Sequence, residues 1–197
     1  MAASPALSRF RIVLWTLVAV AAIAATGLYF LRPEPLPLGG KPFTLESTAG
    51  GTFSASDLKG EPSLVFFGYT FCPDVCPTTM AELAEYKQEL GLTADKLRTV
   101  FVTVDPGRDT KQALTDYLGS FDPKIIGLVG TPEQTEAAKA SFAVYSENGK
   151  PDANGNYVVN HTADVFLMDA NGKFQGTIAF GEDKASALAK IKRLVAG

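Results

Sequence analysis

The stretch Gly68-Tyr69-Thr70-Phe71-Cys72-Pro73-Asp74-Val75-Cys76-Pro77 holds both cysteines of the chain. It lies between an almost continuously apolar run, Ser63 to Tyr69, and a run from Thr78 to Leu90. In the second run Met80, Leu83, Ala84 and Leu90 recur at helical spacing, with Glu82, Glu85, Lys87 and Gln88 on the other side. The first run reads as a central strand covered on both faces and the second as an amphipathic helix. A helix that starts near Val75 or Cys76 puts Cys72 just before its first turn and Cys76 within it. A spacing of four then turns both sulfurs to the same side. Pro77 suits a first helical turn, where a missing N–H costs nothing, and Pro73 stiffens the loop between the thiols. The unpaired N–H groups of that helix end favour thiolate over thiol. The unit is therefore strand, sulfur-bearing loop, helix.

Working outward, Pro42 to Leu45 and Thr52-Phe53 read as an opening hairpin around Ala49-Gly50-Gly51, and Ser56 to Gly60 as one helical turn. After the cysteine helix, Thr99 to Asp105 is a second apolar strand, followed by Pro106-Gly107-Arg108-Asp109 and a helix from about Thr110 to Leu118. Ile125 to Val129 reads as a short or edge strand. Thr131-Pro132-Glu133 opens a helix that runs to about Phe142, with a cap and a proline at its first position. Val144 to Ser146 and Tyr157 to Asn160 flank a stretch rich in Gly, Asn, Asp and Pro, residues 147–156, and read as a hairpin with a long mobile loop. Asp164 to Asp169, the turn Ala170-Asn171-Gly172 and Phe174 to Phe180 make a second hairpin, and Asp183 to Val195 a closing helix. This order predicts a three-layer α/β domain.

The amino-terminal part differs in composition. Ile12 to Leu31 carries no charge, with Arg9 and Arg11 before it and Arg32 after it. Twenty residues at about 1.5 Å each span roughly 30 Å, the thickness of a bilayer's hydrocarbon core. Trp15 and Tyr29 lie near its ends, where interfacial aromatics belong. Residues 1–11 are expected in the cytoplasm, 12–31 as a membrane anchor and 32–41 as a semi-rigid spacer, because Arg32-Pro33-Glu34-Pro35-Leu36-Pro37 alternates prolines. Residues 42–197 then form the exported domain. The competing reading is a signal peptide cleaved after Ala22-Ile23-Ala24; both readings export the domain. At 197 residues and 46% hydrophobic content the chain supports one core. The first 32 residues hold three arginines and no acid, which leaves 15 basic against 21 acidic residues beyond them. Such an acidic body argues against nucleic acid as a partner.

The order of elements resembles the thioredoxin fold with an added amino-terminal hairpin, which by itself assigns no function. Two departures from that fold's redox proteins stand out. Three residues separate the thiols rather than two, and the position of the usual proline before the facing strand reads Asn160-His161-Thr162-Ala163. His161 is the sole histidine. A lone histidine near a strand start is commonly just a hydrogen-bonded residue, but in the inferred fold this one lies beside the cysteine loop. Two thiolates and an imidazole form a soft three-ligand set suited to copper, Cu(I) through the thiolates and Cu(II) through the imidazole. Zinc remains open but prefers a fourth donor or an open catalytic site. Asp74, Met80 and Met168 are the other available donors, and both methionines are more simply core residues. A purely structural disulfide across so short a loop stabilises by only about 2 kcal/mol.

GYTFCPDVCPTT, VDPGRDT at Val104 to Thr110, and the histidine in VNHTADVFLMD, together with an amino-terminal anchor, are similar to the Sco (SenC) copper-binding proteins over the whole exported domain. The resemblance implies copper held by Cys72, Cys76 and His161. It also implies a role in assembling the copper-A centre of cytochrome c oxidase subunit II, from the periplasmic side of a bacterial inner membrane. Another periplasmic copper chaperone or a thioredoxin-like reductant is an expected partner. Asp105, Arg108 and Asp109 match the family's DPxRDT segment and are expected at the site's rim as orienting or docking residues, against the simpler reading of a helix cap by Asp109 and a surface ion pair. The family usually has an acid before the histidine, whereas this chain has Asn160, a change that bears on control of the imidazole or on docking. The rival function is a thiol–disulfide oxidoreductase that keeps the oxidase's copper-ligand cysteines reduced, with Cys72 and Cys76 as its redox pair. Peroxidase chemistry on the same fold has no dedicated motif here.

Overall fold

The structure is a computed structural model that describes residues 5–30 and 38–197. The spacer expected at 32–41 and the end of the apolar run at Leu31 fall largely outside these residues. Two compact units are present, one ending at Pro35 and one beginning at Leu36. The first contains helix α1, Pro5–Phe30. Ile12, Val13, Leu14 and Trp15 are all exposed on it; four consecutive residues cover a full helical turn, so its apolar surface has no single face. Among the described residues no helix is long and apolar enough to cross a membrane.

The second unit is built on a seven-stranded sheet in the order β2-β1-β5-β4-β3-β8-β9. The opening hairpin pairs β1, Thr44–Ser47, with β2, Thr52–Ser54, Leu45 opposite Phe53. Gly50 and Gly51 take positive φ in its turn, a conformation that glycine adopts without steric cost. A single 3-10 turn, Ala55–Leu58, follows and buries Leu58. β3, Ser63–Gly68, is buried at every residue. It runs parallel to β4, Arg98–Thr103, and antiparallel to β8, Val165–Met168, so it has sheet on both sides as the apolar run predicts. β5, Ile126–Val129, extends the sheet beyond β4, and β9, Phe174–Ile178, closes the other edge.

Helices join or cover most of these strands. α2, Val75–Glu89, links β3 to β4; α3, Lys111–Gly119, links β4 to β5; α4, Pro132–Phe142, follows β5; and α5, Lys184–Ala196, packs on β8 and β9. Successive strand residues face opposite sides, and the aromatic contacts show two covered faces. Phe66 and Phe101, opposite each other in β3 and β4, pack together, and Phe101 meets Tyr117 of α3. Phe67 and Phe166 meet Phe142 of α4 on the other side. The layers are thus helix, sheet, helix. Thr131 caps α4 in a reciprocal capping box with Gln134, as its Thr-Pro-Glu start predicts.

One element differs from the expectation. The hairpin after α4 is a separate two-stranded ribbon of β6, Ser146–Asn148, and β7, Val159–His161, shifted by about two residues from the positions read in the sequence. Val144 is unavailable because its N–H closes the end of α4 on the Lys139 carbonyl, and Ala143 turns the chain in the left-handed region. His161 therefore ends a strand opposite Ser146 instead of lying in a loop.

Candidate metal centre

Cys72 sits in the turn after β3, its N–H bonded to the Tyr69 carbonyl, and is half-buried. Helix α2 begins three residues later, and the Cys76 backbone N–H donates to Cys72 Sγ at 3.4 Å. The helix start is thus aimed at the first sulfur, as its spacing requires. Cys76 is fully buried. A Cβ on Gly68 would come within 2.8 Å of Cys76 Sγ and 2.8 Å of the Phe66 ring, so only glycine leaves the second sulfur its space.

His161 arrives from β7, 85 positions along the chain, and places Nε2 3.5 Å from Cys76 Sγ. Its Nδ1 lies 2.9 Å from the Thr162 carbonyl. A carbonyl only accepts, so Nδ1 carries the proton and Nε2 presents a lone pair toward the cysteines. Phe66 and Tyr69 meet the imidazole edge-on at centroid distances of 6.0 and 5.8 Å. The Tyr69 hydroxyl accepts the Val159 N–H at 3.1 Å, which ties β7 to the cysteine strand's end.

The two Sγ atoms and a ring nitrogen all lie within 4.8 Å of one another. Donors on bonds of about 2.0–2.3 Å around one ion fall within about 4.6 Å of each other, so the three fit a single metal with only small movement. Electrostatics separates the two thiols. The hydrogen bond from Cys76, with the backbone N–H groups of Cys76 and Asp74, pulls Cys72 down to about 4 against the opposing effect of burial. Cys76 is driven the other way, because it donates to Cys72 and is buried beside that charge. The pair is one thiolate at the rim and one thiol behind it.

The remaining candidates divide. Asp74 is exposed and makes no side-chain cap to α2; its contribution is the backbone N–H on Cys72. Met80 and Met168 are fully buried core residues. Asn160 is exposed and stands opposite Glu147; as a strand neighbour of His161 it points to the opposite side. Asp109 is not the helix cap: Thr110 fills that position, its side chain accepting from the Ala113 N–H. Asp109 is buried, and its carboxylate accepts the Thr70 N–H, the Thr70 hydroxyl at 2.6 Å and the Thr103 hydroxyl at 2.6 Å. It braces the cysteine loop against β4, and burial raises its pKa despite those bonds.

Asp105 and Arg108 do not form a surface pair either. Asp105 is 3% exposed and bonds the Arg108 Nε and the Tyr157 hydroxyl. Sequence reasoning missed the role of Tyr157, which directly follows a Gly- and Asn-rich stretch without periodicity, and missed the spatial demand at Gly68. The only signal for Gly68 was a glycine at the end of a buried strand, beside a cysteine loop.

Residues 33–196 match the SCO1/SenC family. The mitochondrial SCO1 homologue of Homo sapiens is 35% identical over 150 residues, 75% of this chain and 49% of that protein, so the chain spans about half the length of that relative. The solved structure of Bradyrhizobium japonicum ScoI with copper bound is 40% identical, with a TM-score of 0.70 over 78% of this chain and 97% of that one. Yeast Sco1 with copper bound is 33% identical, with a TM-score of 0.72 over 82% and 90%. The cysteine loop, the histidine ribbon and the thioredoxin-like sheet all lie inside the matched span, and the chain belongs to the SCO1/SenC family.

Proposed function

We propose that this protein is a copper metallochaperone that takes up copper as cargo through Cys72, Cys76 and His161 and hands it to the copper-A centre of cytochrome c oxidase subunit II. The observation that carries the reading is the convergence of three soft donors within 4.8 Å of one another. The thiolates suit Cu(I) and the imidazole also suits Cu(II), and similar chains have been solved with copper bound. Cys72 is half-buried while Cys76 is enclosed, so an incoming ligand reaches the metal from the Cys72 side and transfer proceeds by ligand exchange. Uptake displaces the Cys76 proton, so binding weakens in acid.

We place residues 12–31 as a single-pass anchor in a bacterial inner membrane, with residues 1–11 in the cytoplasm, 32–41 as spacer and the domain in the periplasm. The uncharged run flanked by arginines and the exposed apolar side chains from Ile12 to Ile23 support this. The test is Cu(I) competition between the detergent-solubilised full chain and a chromophoric chelator. His161→Ala is expected to weaken binding by at least the roughly tenfold that loss of even an outer-shell partner costs. Equal affinity in variant and parent would remove the histidine from the site.

A second reading is favoured by the depressed pKa of the accessible Cys72. In it the Cys72 thiolate attacks one sulfur of a disulfide in the oxidase subunit, forming a mixed disulfide and releasing the other target sulfur as a thiolate that takes up a proton. The Cys76 thiol then loses its proton and displaces the target thiolate, so the target is reduced as Cys72 and Cys76 become a disulfide. A thioredoxin-like reductant must restore the pair. Target reduction that survives His161→Ala, with no copper bound by the parent, would favour this reading over the first.

A further inference from the structure

The ribbon that carries His161 is a poor support on its own. β6 and β7 have three residues each and share no hydrogen bond with the seven-stranded sheet, and an isolated two-stranded hairpin is marginally stable at best in water. Its imidazole nevertheless stands 3.5 Å from a fully buried sulfur. Something outside the ribbon must hold it there.

Arg108 touches all three segments involved. Its Nε pairs with buried Asp105, and its Nη1 donates to the Tyr157 carbonyl at 2.9 Å. Its guanidinium lies over the Tyr157 ring at 3.6 Å, over Phe71 at 4.9 Å and near Tyr69 at 5.6 Å. Tyr157 returns to the same carboxylate, its hydroxyl donating to Asp105 at 2.8 Å. Two residues after Tyr157 the chain enters β7, where the Val159 N–H is tied to the Tyr69 hydroxyl. Phe71 immediately precedes Cys72. One side chain therefore grips the arm leading to the imidazole and the loop leading to the first thiol. Its Nη2 is buried without a hydrogen-bond acceptor; the surrounding ring faces are what stabilise that end of the cation.

We propose that Arg108 is a positioning residue that clamps the His161 ribbon to the cysteine loop and so fixes the imidazole's approach to the two sulfurs. The proposal rests on the copper-binding reading of Cys72, Cys76 and His161 for its consequence, but not for its structural content. Lysine does not replace it, because the clamp uses a forked cation that bonds a carboxylate and a carbonyl while stacking on an aromatic ring, and an ammonium offers no planar face.

The full chain in detergent, parent and variants, would be measured for backbone amide hydrogen exchange without metal and for Cu(I) affinity by chelator competition. Arg108→Ala and Arg108→Lys are expected to speed exchange at residues 159–162 at least tenfold while β3 and β4 keep their protection. Cu(I) affinity is expected to fall by about 10–100-fold, the usual effect of losing a group that orients a ligand. In a His161→Ala background Arg108→Ala should change affinity by less than twofold, since the route runs through the imidazole. Unchanged exchange at 159–162 overturns the clamp. An equal loss of affinity in the His161→Ala background assigns the effect to the cysteines and overturns it as well. If His161→Ala alone leaves copper affinity unchanged, the histidine drops out of the proposed ligand set while the exchange data still decide the clamp. Should Arg108→Ala not fold, Tyr157→Leu removes the stacked ring and the hydroxyl and is judged by the same thresholds.

Discussion

Replacing Gly68 by alanine tests whether the second sulfur is held by space alone. The added Cβ would lie 2.8 Å from Cys76 Sγ, 2.8 Å from the Phe66 ring and 3.0 Å from the Phe101 ring. Ordinary contacts of this kind are about 3.5–4.0 Å, so about 1 Å of relief is needed. Both rings are fully buried and cannot swing into solvent. The sulfur is therefore displaced, or the strand and helix part. Overpacking of this size costs about 1–3 kcal/mol. Gly68 has no positive φ, so the cost is steric rather than a backbone penalty. Moving Cys76 Sγ by about 1 Å, when it now stands 3.5 Å from His161 Nε2, is expected to reduce Cu(I) affinity about tenfold, or about 1.4 kcal/mol. Urea unfolding and chelator competition on the same preparations read the two effects separately. Gly119→Ala is the control, because a Cβ there meets nothing within 4 Å and the backbone is not in the left-handed region. If Gly68→Ala matches that control in both stability and affinity, the packing argument for the sulfur's position is wrong.

The two thiols should titrate apart: the ultraviolet absorbance of thiolate in the metal-free parent is expected to persist down to a midpoint of about 4 and to move upward in Cys76→Ala, because the largest cause of the low value is the Cys76 hydrogen bond. Since the folded value lies below the ordinary thiol value of 9.0, Cys72 contributes stability that is complete above about 9 and is lost as pH falls toward 4; a parent midpoint near 9 would refute the assignment. Asp109→Ala strands the Thr70 N–H and two hydroxyls, and is expected to cost at least about 2 kcal/mol in urea unfolding. Asp109→Asn, which keeps one carbonyl acceptor, should lose less, and equal losses would show that the acceptor count is not what matters.

Local chemistry made much of the fold legible. An apolar run bounded by Ser63 and Gly68 is a strand with both faces covered wherever it lies, and Pro77 and the Thr131-Pro132 pair mark helix starts because a first turn needs no N–H from proline. The simpler reading of Asp109, as a helix cap, failed for a related reason. Adjacent Asp109 and Thr110 are both competent caps, and only the burial of Asp109 against Thr70 and Thr103 leaves the cap to Thr110. The strands of the His161 ribbon were misplaced because Val144 completes a helix end and Tyr157 is held by Arg108, two contacts that leave no periodic trace in the chain.

What the chain's order of residues settled was the inventory and its grouping: two thiols four apart at a helix start, one imidazole before a strand, and the elements between them. Those features act within a few residues, where backbone geometry is nearly independent of the rest of the molecule. The tertiary structure decided that the imidazole meets the buried thiol, that Gly68 reserves that thiol's space, and that Arg108 and Tyr157 lock the two arms together. Each joins residues far apart in sequence, and their separation in space is set by strand order and packing, which no local pattern encodes.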